Sequence, residues 1–135
     1  MRIITWNVWG LYGPRREREA AIAATLREAR PDIVVLAESW AKDGDSQCAR
    51  LAGSLGLPHH AFSGVAAQED AAALSGVAVM SRWPIQRQSS LTFGDARVQF
   101  AERPALAARS RCTAWSWTPG GSTRARPART RSASY

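Results

Sequence analysis

The sequence of 135 residues is poor in several residue types, and each shortage excludes a class of protein. Its two cysteines, Cys48 and Cys112, are too few for a disulfide framework and lack metal-motif spacing, so we expect a reduced, cytoplasmic chain. No apolar run approaches the roughly 18 residues of a membrane span. The N-terminal segment lacks the apolar region and small-residue cleavage site of a signal peptide, so none is predicted.

Acidic residues are missing from the last quarter of the chain. Residues 1–102 carry 11 Lys and Arg against 11 Asp and Glu, whereas residues 103–135 carry seven Arg and no acid. The formal net charge of +7 therefore belongs to the C-terminal segment. A basic pI alone does not make the first three-quarters of the chain a nucleic-acid-binding protein.

The segment 103–135 is also nearly free of large aliphatic side chains, with Leu106 as its one residue among Val, Ile, Leu, Met and Phe. Such a composition buries too little apolar surface to offset the entropy of ordering, so the segment is predicted to be disordered. Arg outnumbers Lys 17 to 1, which indicates GC-rich coding DNA. Two interpretations stay open, a frameshifted end and a genuine Arg-rich tail that binds nucleic acid.

The periodicity of residues 1–102 predicts one α/β domain that begins with alternating strands and helices. The first predicted helix ends before Pro31, and the second is predicted to begin at an Asp45 N-cap and end at Gly56. The region 64–75 is predicted to be a loop. The predicted strands cover residues 2–8, 33–38, 59–63, 76–82, 85–93 and 96–102, and the first helix covers residues 15–30.

Two polar residues interrupt the strand pattern, Asn7 near the end of the first strand and Glu38 at the end of the second. Ligand sites in α/β sheets gather beyond the carboxyl ends of strands. An amide and a carboxylate that converge there, with room for waters and phosphate oxygens, suit Mg²⁺. The alternative is that Asn7 starts a turn and Glu38 caps or pairs with a cation.

Three segments of the chain, "TWNVWG", "RPDIVVLAES" and "SGVAVMSRWPI", resemble in order and spacing the endonuclease/exonuclease/phosphatase superfamily. The resemblance covers about residues 1–102. It implies a partial four-layer α/β sandwich, the first half of a two-sheet core with outer helices, followed by the disordered tail. It also implies a divalent-metal-dependent phosphoric ester hydrolase that uses Mg²⁺ or Mn²⁺ on a phosphate ester, with nucleic acid among the candidate substrates.

By the same resemblance, Asn7 and Glu38 are the catalytic and metal-binding residues. Asn7 matches the Asn that lies near the metal and the scissile phosphate, and Glu38 matches the principal metal-binding carboxylate. Ala37 departs from the Gln that often precedes this Glu in the family. Ser81 and Arg82 are assigned to the end of a strand and its turn. Trp6 and Trp9 are interpreted as packing or loop residues.

The groups that complete the family's active site, a His base with an Asp partner and an Asp-x-Asn motif, belong to the second half of its domain. Here Asn7 is the only Asn, no Asp follows Asp95, and no His follows His60. His59 and His60 precede the region of the base and are interpreted as strand-edge residues. The chain is therefore expected to be truncated, weakly active or inactive, and marginally stable because an apolar sheet face is left open.

An alternative function is nucleic-acid binding through the Arg-rich tail. Its guanidinium groups would contact phosphates, and Trp115 and Trp117 would stack on bases. The sequence leaves the oligomeric state and the identity of the substrate open.

Overall fold

The computed structural model describes residues 1–67, 70–93 and 103–110. Within these ranges neither helix has the length and apolar character that a membrane crossing requires. The helices are α1 (Arg15–Ala29) and α2 (Gln47–Leu55), and the strands are β1 (Ile3–Asn7), β2 (Ile33–Lys42), β3 (Asp45–Ser46), β4 (His59–Ala66), β5 (Ala73–Ser81), β6 (Ile85–Phe93) and β7 (Arg103–Ser110).

The main sheet has the strand order β1-β2-β5-β4, and β3 pairs with the far end of β2. β1 and β2 are parallel and are joined through α1, whereas β5 runs antiparallel to both β2 and β4. β6 and β7 form a separate antiparallel sheet. The predicted α/β class is therefore confirmed, with parallel pairing at the start of the chain and antiparallel pairing later.

One face of the main sheet and the two helices enclose the hydrophobic core. Leu36 from β2 and Leu26 from α1 are almost fully buried in it, as are Leu51 and Cys48 from α2. The apolar stripes that the sequence predicts on both helices thus face the sheet. The remaining core residues are Val8, Ile22, Ala23, Val34, Ala52, Leu57, Ala78 and Met80.

The opposite face of the main sheet is covered unevenly. The β6–β7 hairpin contacts β4 and β5, where Ala61 and Val79, which alternate with core residues, are buried. On β1 the corresponding side chain of Ile3 is 55% exposed. The other residues on this face of β1 are the polar Thr5 and Asn7, so the predicted open apolar face stays a prediction.

The helix ends differ in detail from the predictions. α1 ends at Ala29, and its C-cap Arg30 adopts a left-handed conformation directly before Pro31. The predicted Asp45 N-cap of α2 is wrong, because Asp45 pairs with Lys42 in β3 and its carboxylate accepts from Arg50. Ser46 is the N-cap instead, and its hydroxyl accepts a hydrogen bond from the amide of Ala49 at 3.5 Å. The predicted stop at Gly56 is confirmed by its left-handed φ of 65°.

Half of the predicted loop over residues 64–75 is strand, because β4 continues to Ala66 and β5 begins at Ala73. The paired residues Gly64 and Gly76 explain this, since a Cβ on Gly76 would collide with the backbone of β4. Glycine here permits close approach of two strands, although its intrinsic strand preference is low. The predicted strand over residues 96–102 lies outside the described residues.

The expectation of disorder from residue 103 onwards is wrong for Arg103–Ser110, which form β7. β6 supplies a complete backbone partner over Ile85–Phe93, and ladder hydrogen bonds do not depend on large apolar side chains. Residues 111–135 lie outside the described residues.

Candidate active site

The carboxyl ends of β1 and β2 lie side by side, as the sequence predicts. The two strands pair in register from Ile3 with Ile33 to Asn7 with Ala37, and the amide of Val8 donates to the carbonyl of Ala37 at 3.0 Å. Asn7 is thus the last paired residue of β1, one position across from Glu38. This register places the two predicted site residues at one edge of the sheet.

Glu38 lies in a β-bulge in β2 rather than at its end. Leu36 pairs with Ala78 and Ser39 pairs with Gly76, so Ala37 and Glu38 together oppose a single residue of β5. The backbone of Glu38 is left-handed, with φ of 57°. For a residue with a Cβ, this conformation is unfavourable by about 1–2 kcal/mol. Such strain persists where the surroundings enforce it, and it concentrates at functional sites.

The bulge determines where the Glu38 carboxylate lies. In a regular strand, Glu38 would share the face of Val34 and Leu36, and both of those side chains are fully buried against the helices. Asn7, by its pairing, belongs to the opposite face. The extra residue redirects Glu38 toward Asn7, so the carboxylate stays partly exposed.

Hydrogen bonds hold the two side chains in a fixed arrangement. The Nδ2 of Asn7 donates to Oε1 of Glu38 at 2.9 Å. The Oδ1 of Asn7 accepts from the backbone amide of Trp9, also at 2.9 Å. The amide of Asn7 therefore has a defined orientation, with its nitrogen toward the carboxylate and its oxygen toward the loop after β1.

This pair can supply part of a site for a hard cation. A carboxylate oxygen of Glu38 and the second lone pair of the Asn7 amide oxygen are the donor types that Mg²⁺ prefers. In the described ranges, no group of three or more His, Cys, Asp or Glu side chains could hold a metal. The arrangement fits an ion that keeps several waters or takes further oxygens from its substrate.

The loop that follows Asn7 carries an exposed aromatic pair. Trp9 has a φ of 60° and is 59% exposed, and it stacks on Tyr12 with ring centroids 5.5 Å apart. The guanidinium of Arg18 lies 5.7 Å from the centre of the Trp9 ring. Trp9 is thus a loop residue, as expected, whereas Trp6 on β1 is 37% exposed. The sequence gives no signal that places Arg18 beside this loop.

The other residues considered from the sequence lie away from the pair. His59 aligns through Ser81 with Ile33, five positions before Glu38 on β2, which is roughly 16 Å along the strand. The hydroxyl of Ser81 accepts from the amide of Trp83 at 3.0 Å, which fits its predicted role at a strand end. Arg82 fits the same role, because its guanidinium lies 3.1 Å from the Asp32 carboxylate.

A surface cleft of about 1020 Å³ lies between α1, α2 and the end of β2, and neither Asn7 nor Glu38 lines it. The Trp40 ring in this cleft lies between two guanidinium groups, at 5.5 Å from Arg15 and 4.9 Å from Arg50. Arg50 also pairs with Glu19 at 2.7 Å, and this bond holds the pKa of Arg50 above its usual value. Lys42, which also lines the cleft, pairs with Asp70 at 2.5 Å, so two of the lining cations are already bound to acids and we assign no catalytic role to the cleft.

Comparison with known proteins identifies the class that this fold and site define. The model of the Endonuclease/Exonuclease/phosphatase family matches residues 4–132, so the chain belongs to that family. The match extends beyond residue 102, where the resemblance was expected to end. The family-like region therefore extends past residue 102, and β7 lies within the matched residues.

Individual relatives agree with this assignment. A putative neutral sphingomyelinase of Drosophila melanogaster is 37% identical over 90 residues, which are 63% of this chain and 19% of that protein. An endonuclease/exonuclease/phosphatase family protein from Leptotrichia buccalis has a similar fold, with a TM-score of 0.66 at 18% identity over 83% of this chain. The endonuclease/exonuclease/phosphatase from Beutenbergia cavernae has a TM-score of 0.54 at 25% identity over 90% of this chain.

The chain corresponds to only part of each of these proteins. It spans 49% of the Leptotrichia protein, 39% of the Beutenbergia protein and 19% of the fly protein. The fold and the family follow from the comparisons, whereas the activity of the longer relatives does not transfer directly to this chain.

Proposed function

We propose that this chain carries the metal-binding part of a divalent-metal-dependent phosphoric ester hydrolase site, with Glu38 as the ligand of Mg²⁺ or Mn²⁺. The observation that carries the proposal is the left-handed bulge that turns Glu38 out of the core and toward Asn7. This backbone is unfavourable for a residue with a Cβ, and strain of this kind concentrates at functional sites. Membership of the family supports the same role.

In this proposal Asn7 orients Glu38 through its Nδ2 and stays near the phosphate position. The predicted role of Asn7 as a second metal ligand requires the free lone pair of its Oδ1, because the other accepts from Trp9. A divalent ion bound there would polarise the phosphoryl oxygens and offset developing negative charge. The open side of the Glu38 carboxylate leaves room for substrate oxygens.

We further propose a phosphodiester as the substrate class, with lipid and nucleic-acid diesters as the two sources. The similarity to a protein named as a putative neutral sphingomyelinase supports the diester. Because the described residues bring one carboxylate and no histidine to the site, we expect turnover of bis(p-nitrophenyl) phosphate near background. Robust hydrolysis that Glu38→Ala abolishes would show that the site is complete.

Metal binding tests the proposal without requiring turnover. Free Mn²⁺, followed by its EPR signal during titration with the chain, should fall as the protein is added. Glu38→Gln keeps the size of the side chain but removes its charge, and we expect at least a tenfold loss of affinity. Glu28→Gln, at an exposed position of α1, is the matched control and should bind as the parent chain does. Equal affinity for all three chains would refute the assignment of Glu38.

The Arg-rich segment supports nucleic-acid binding as a second candidate. Two of its seven arginines lie in β7, and the other five belong to residues 111–135. Deletion of residues 111–135 leaves β7 intact, so it tests nucleic-acid binding by this segment separately from metal binding at Glu38. If these five arginines contact phosphates, the slope of log affinity against log salt on duplex DNA should become less steep by about 4.5. An unchanged slope would remove this candidate, whereas Mn²⁺ binding at Glu38 would be unaffected.

A further inference from the structure

We infer that Arg18 is a positioning residue for the Asn7–Glu38 pair, an inference that rests on the proposed function of that pair. Arg18 lies in the first turns of α1 and touches neither Asn7 nor Glu38 in the described contacts. Its guanidinium instead binds the loop that connects β1 to α1. The structure links that loop to the site through one backbone hydrogen bond.

The guanidinium of Arg18 holds three carbonyl groups of this loop. Nη2 donates to the carbonyl of Gly10 at 2.7 Å and to that of Trp9 at 3.5 Å, and Nη1 donates to the carbonyl of Tyr12. The same group lies over the Trp9 ring. A planar fork with several donors can make all these bonds at once, which a lysine ammonium on its flexible stem cannot reproduce.

The loop needs such support because its backbone is unfavourable on its own. Trp9, Gly10 and Gly13 all have positive φ values, of 60°, 46° and 65°. Trp9 bears a Cβ, so its conformation is unfavourable by about 1–2 kcal/mol. Without the contacts of Arg18, we expect the loop to sample other conformations and to release its hold on Asn7.

The held loop then fixes the site in two ways. The amide of Trp9 donates to Oδ1 of Asn7, which leaves Nδ2 directed at Oε1 of Glu38. Gly10 also lies against the bulge, since a Cβ placed on it would be 3.4 Å from the carbonyl oxygen of Glu38. A sequence of contacts thus runs from Arg18 through Trp9 to Asn7 and Glu38. Replacement of a residue that supports a metal ligand without binding the metal itself typically lowers metal affinity by about 10–100-fold.

A spectroscopic test follows from the composition of the chain. Asn7 is the only asparagine, so selective ¹⁵N-asparagine labelling gives a single side-chain amide in the NMR spectrum. In the metal-free parent chain, we expect its two protons to be well separated, because one donates to Glu38. Arg18→Lys keeps the positive charge and should bring the two signals close to those of a free amide. Arg16→Lys, an exposed residue of the same helix, is the control and should leave them unchanged.

The Mn²⁺ titration supplies the second readout. We expect the dissociation constant to rise about tenfold in Arg18→Lys and to stay unchanged in Arg16→Lys. An Asn7 amide signal that is identical in the Arg18→Lys and parent chains would overturn the inference. If Arg18→Lys weakens Mn²⁺ binding and Glu38→Gln does not, the result contradicts the proposed function instead. The metal-free spectrum therefore tests Arg18 even if the chain binds no metal.

Gly13→Ala tests the same contact if Arg18→Lys does not fold. A Cβ on Gly13 would lie 3.4 Å from Nη1 of Arg18, at a position with a left-handed φ. This variant keeps Arg18 but makes the left-handed backbone of the loop unfavourable, which should loosen the loop that Arg18 binds. The inference requires a change of the Asn7 amide in the same direction as in Arg18→Lys, and an unchanged signal would count against it.

Discussion

Replacement of Glu38 by glycine and by alanine tests whether the bulge is strained. Both variants lose the carboxylate, but only alanine retains a Cβ at a φ of 57°. The left-handed conformation is unfavourable by about 1–2 kcal/mol for a residue with a Cβ. The greater freedom of glycine in the unfolded chain offsets about 0.5–1 kcal/mol of the gain. We therefore expect Glu38→Gly to be more stable than Glu38→Ala by roughly 0.5–1 kcal/mol.

Thr5 on β1 is the matched control, because it is an exposed strand residue without a positive φ. There the order should reverse, with Thr5→Ala more stable than Thr5→Gly by about 0.5–1 kcal/mol. Pulse proteolysis across a urea series measures the folded fraction even for a marginally stable chain, and the midpoints should differ by several tenths of a molar. If Glu38→Ala is at least as stable as Glu38→Gly, the backbone at this position is unstrained and our account of the bulge fails.

Three further predictions concern packing, a thiol and the coding sequence. Gly76→Ala should destabilise the chain by about 2 kcal/mol or more, because the added Cβ would meet the backbone of β4. Gly53→Ala in α2, where the space is open, should stabilise the chain by about 0.5–1 kcal/mol. The midpoints of urea unfolding measure both changes. Burial raises the pKa of Cys48 from 9.0 to about 11, so the folded state keeps a proton that the unfolded state loses, and stability should fall by about 2–3 kcal/mol as pH rises from 9 to 11. In a Cys112→Ser background, Cys48→Ala should abolish that fall, and a fall that persists would contradict the assignment. If residues 111–135 are a frameshift product, another frame of the same DNA should encode an Asp-x-Asn motif and a late Asp-His pair, and the absence of both would refute that interpretation.

The elements that the sequence predicts well are those with strong local signals. The apolar stripes of both helices, the strand at 85–93 and the stop at Gly56 follow from periodicity and from the backbone freedom of glycine. Arg103–Ser110 have no such signal, because their order depends on pairing with β6, a distant segment. Local composition predicts disorder there, and tertiary pairing reverses it.

The sequence places the two candidate residues at neighbouring strand ends, but it does not show their geometry. The strand pattern placed Asn7 and Glu38 near neighbouring strand ends, and the register of β1 with β2 agrees with that. Residues 33–37 are all apolar, so the sequence does not show which of their side chains face the helices and which face the opposite side of the sheet. Neither the bulge nor the continuation of β2 to Lys42 could therefore be predicted from an alternating pattern. The role of Arg18 depends on where α1 places it against the loop, which spacing in the sequence does not show.

The bulge also fixes the remainder of β2. Because Leu36 and Ser39 pair with residues of the same parity on β5, both lie on the helix side, although three positions separate them. Ser39 is fully buried there, and its hydroxyl donates to the side-chain oxygen of Gln47 at 3.1 Å, at the start of α2. Loss of one residue at 37 or 38 would remove the bulge and give a regular ladder, in which Ser39 still pairs with Gly76 and stays on the helix side with its partner Gln47. A one-residue insertion after Leu36 would instead exchange the faces of residues 39–42 and separate Ser39 from Gln47, so the docking of α2 tolerates loss of the bulge better than its enlargement.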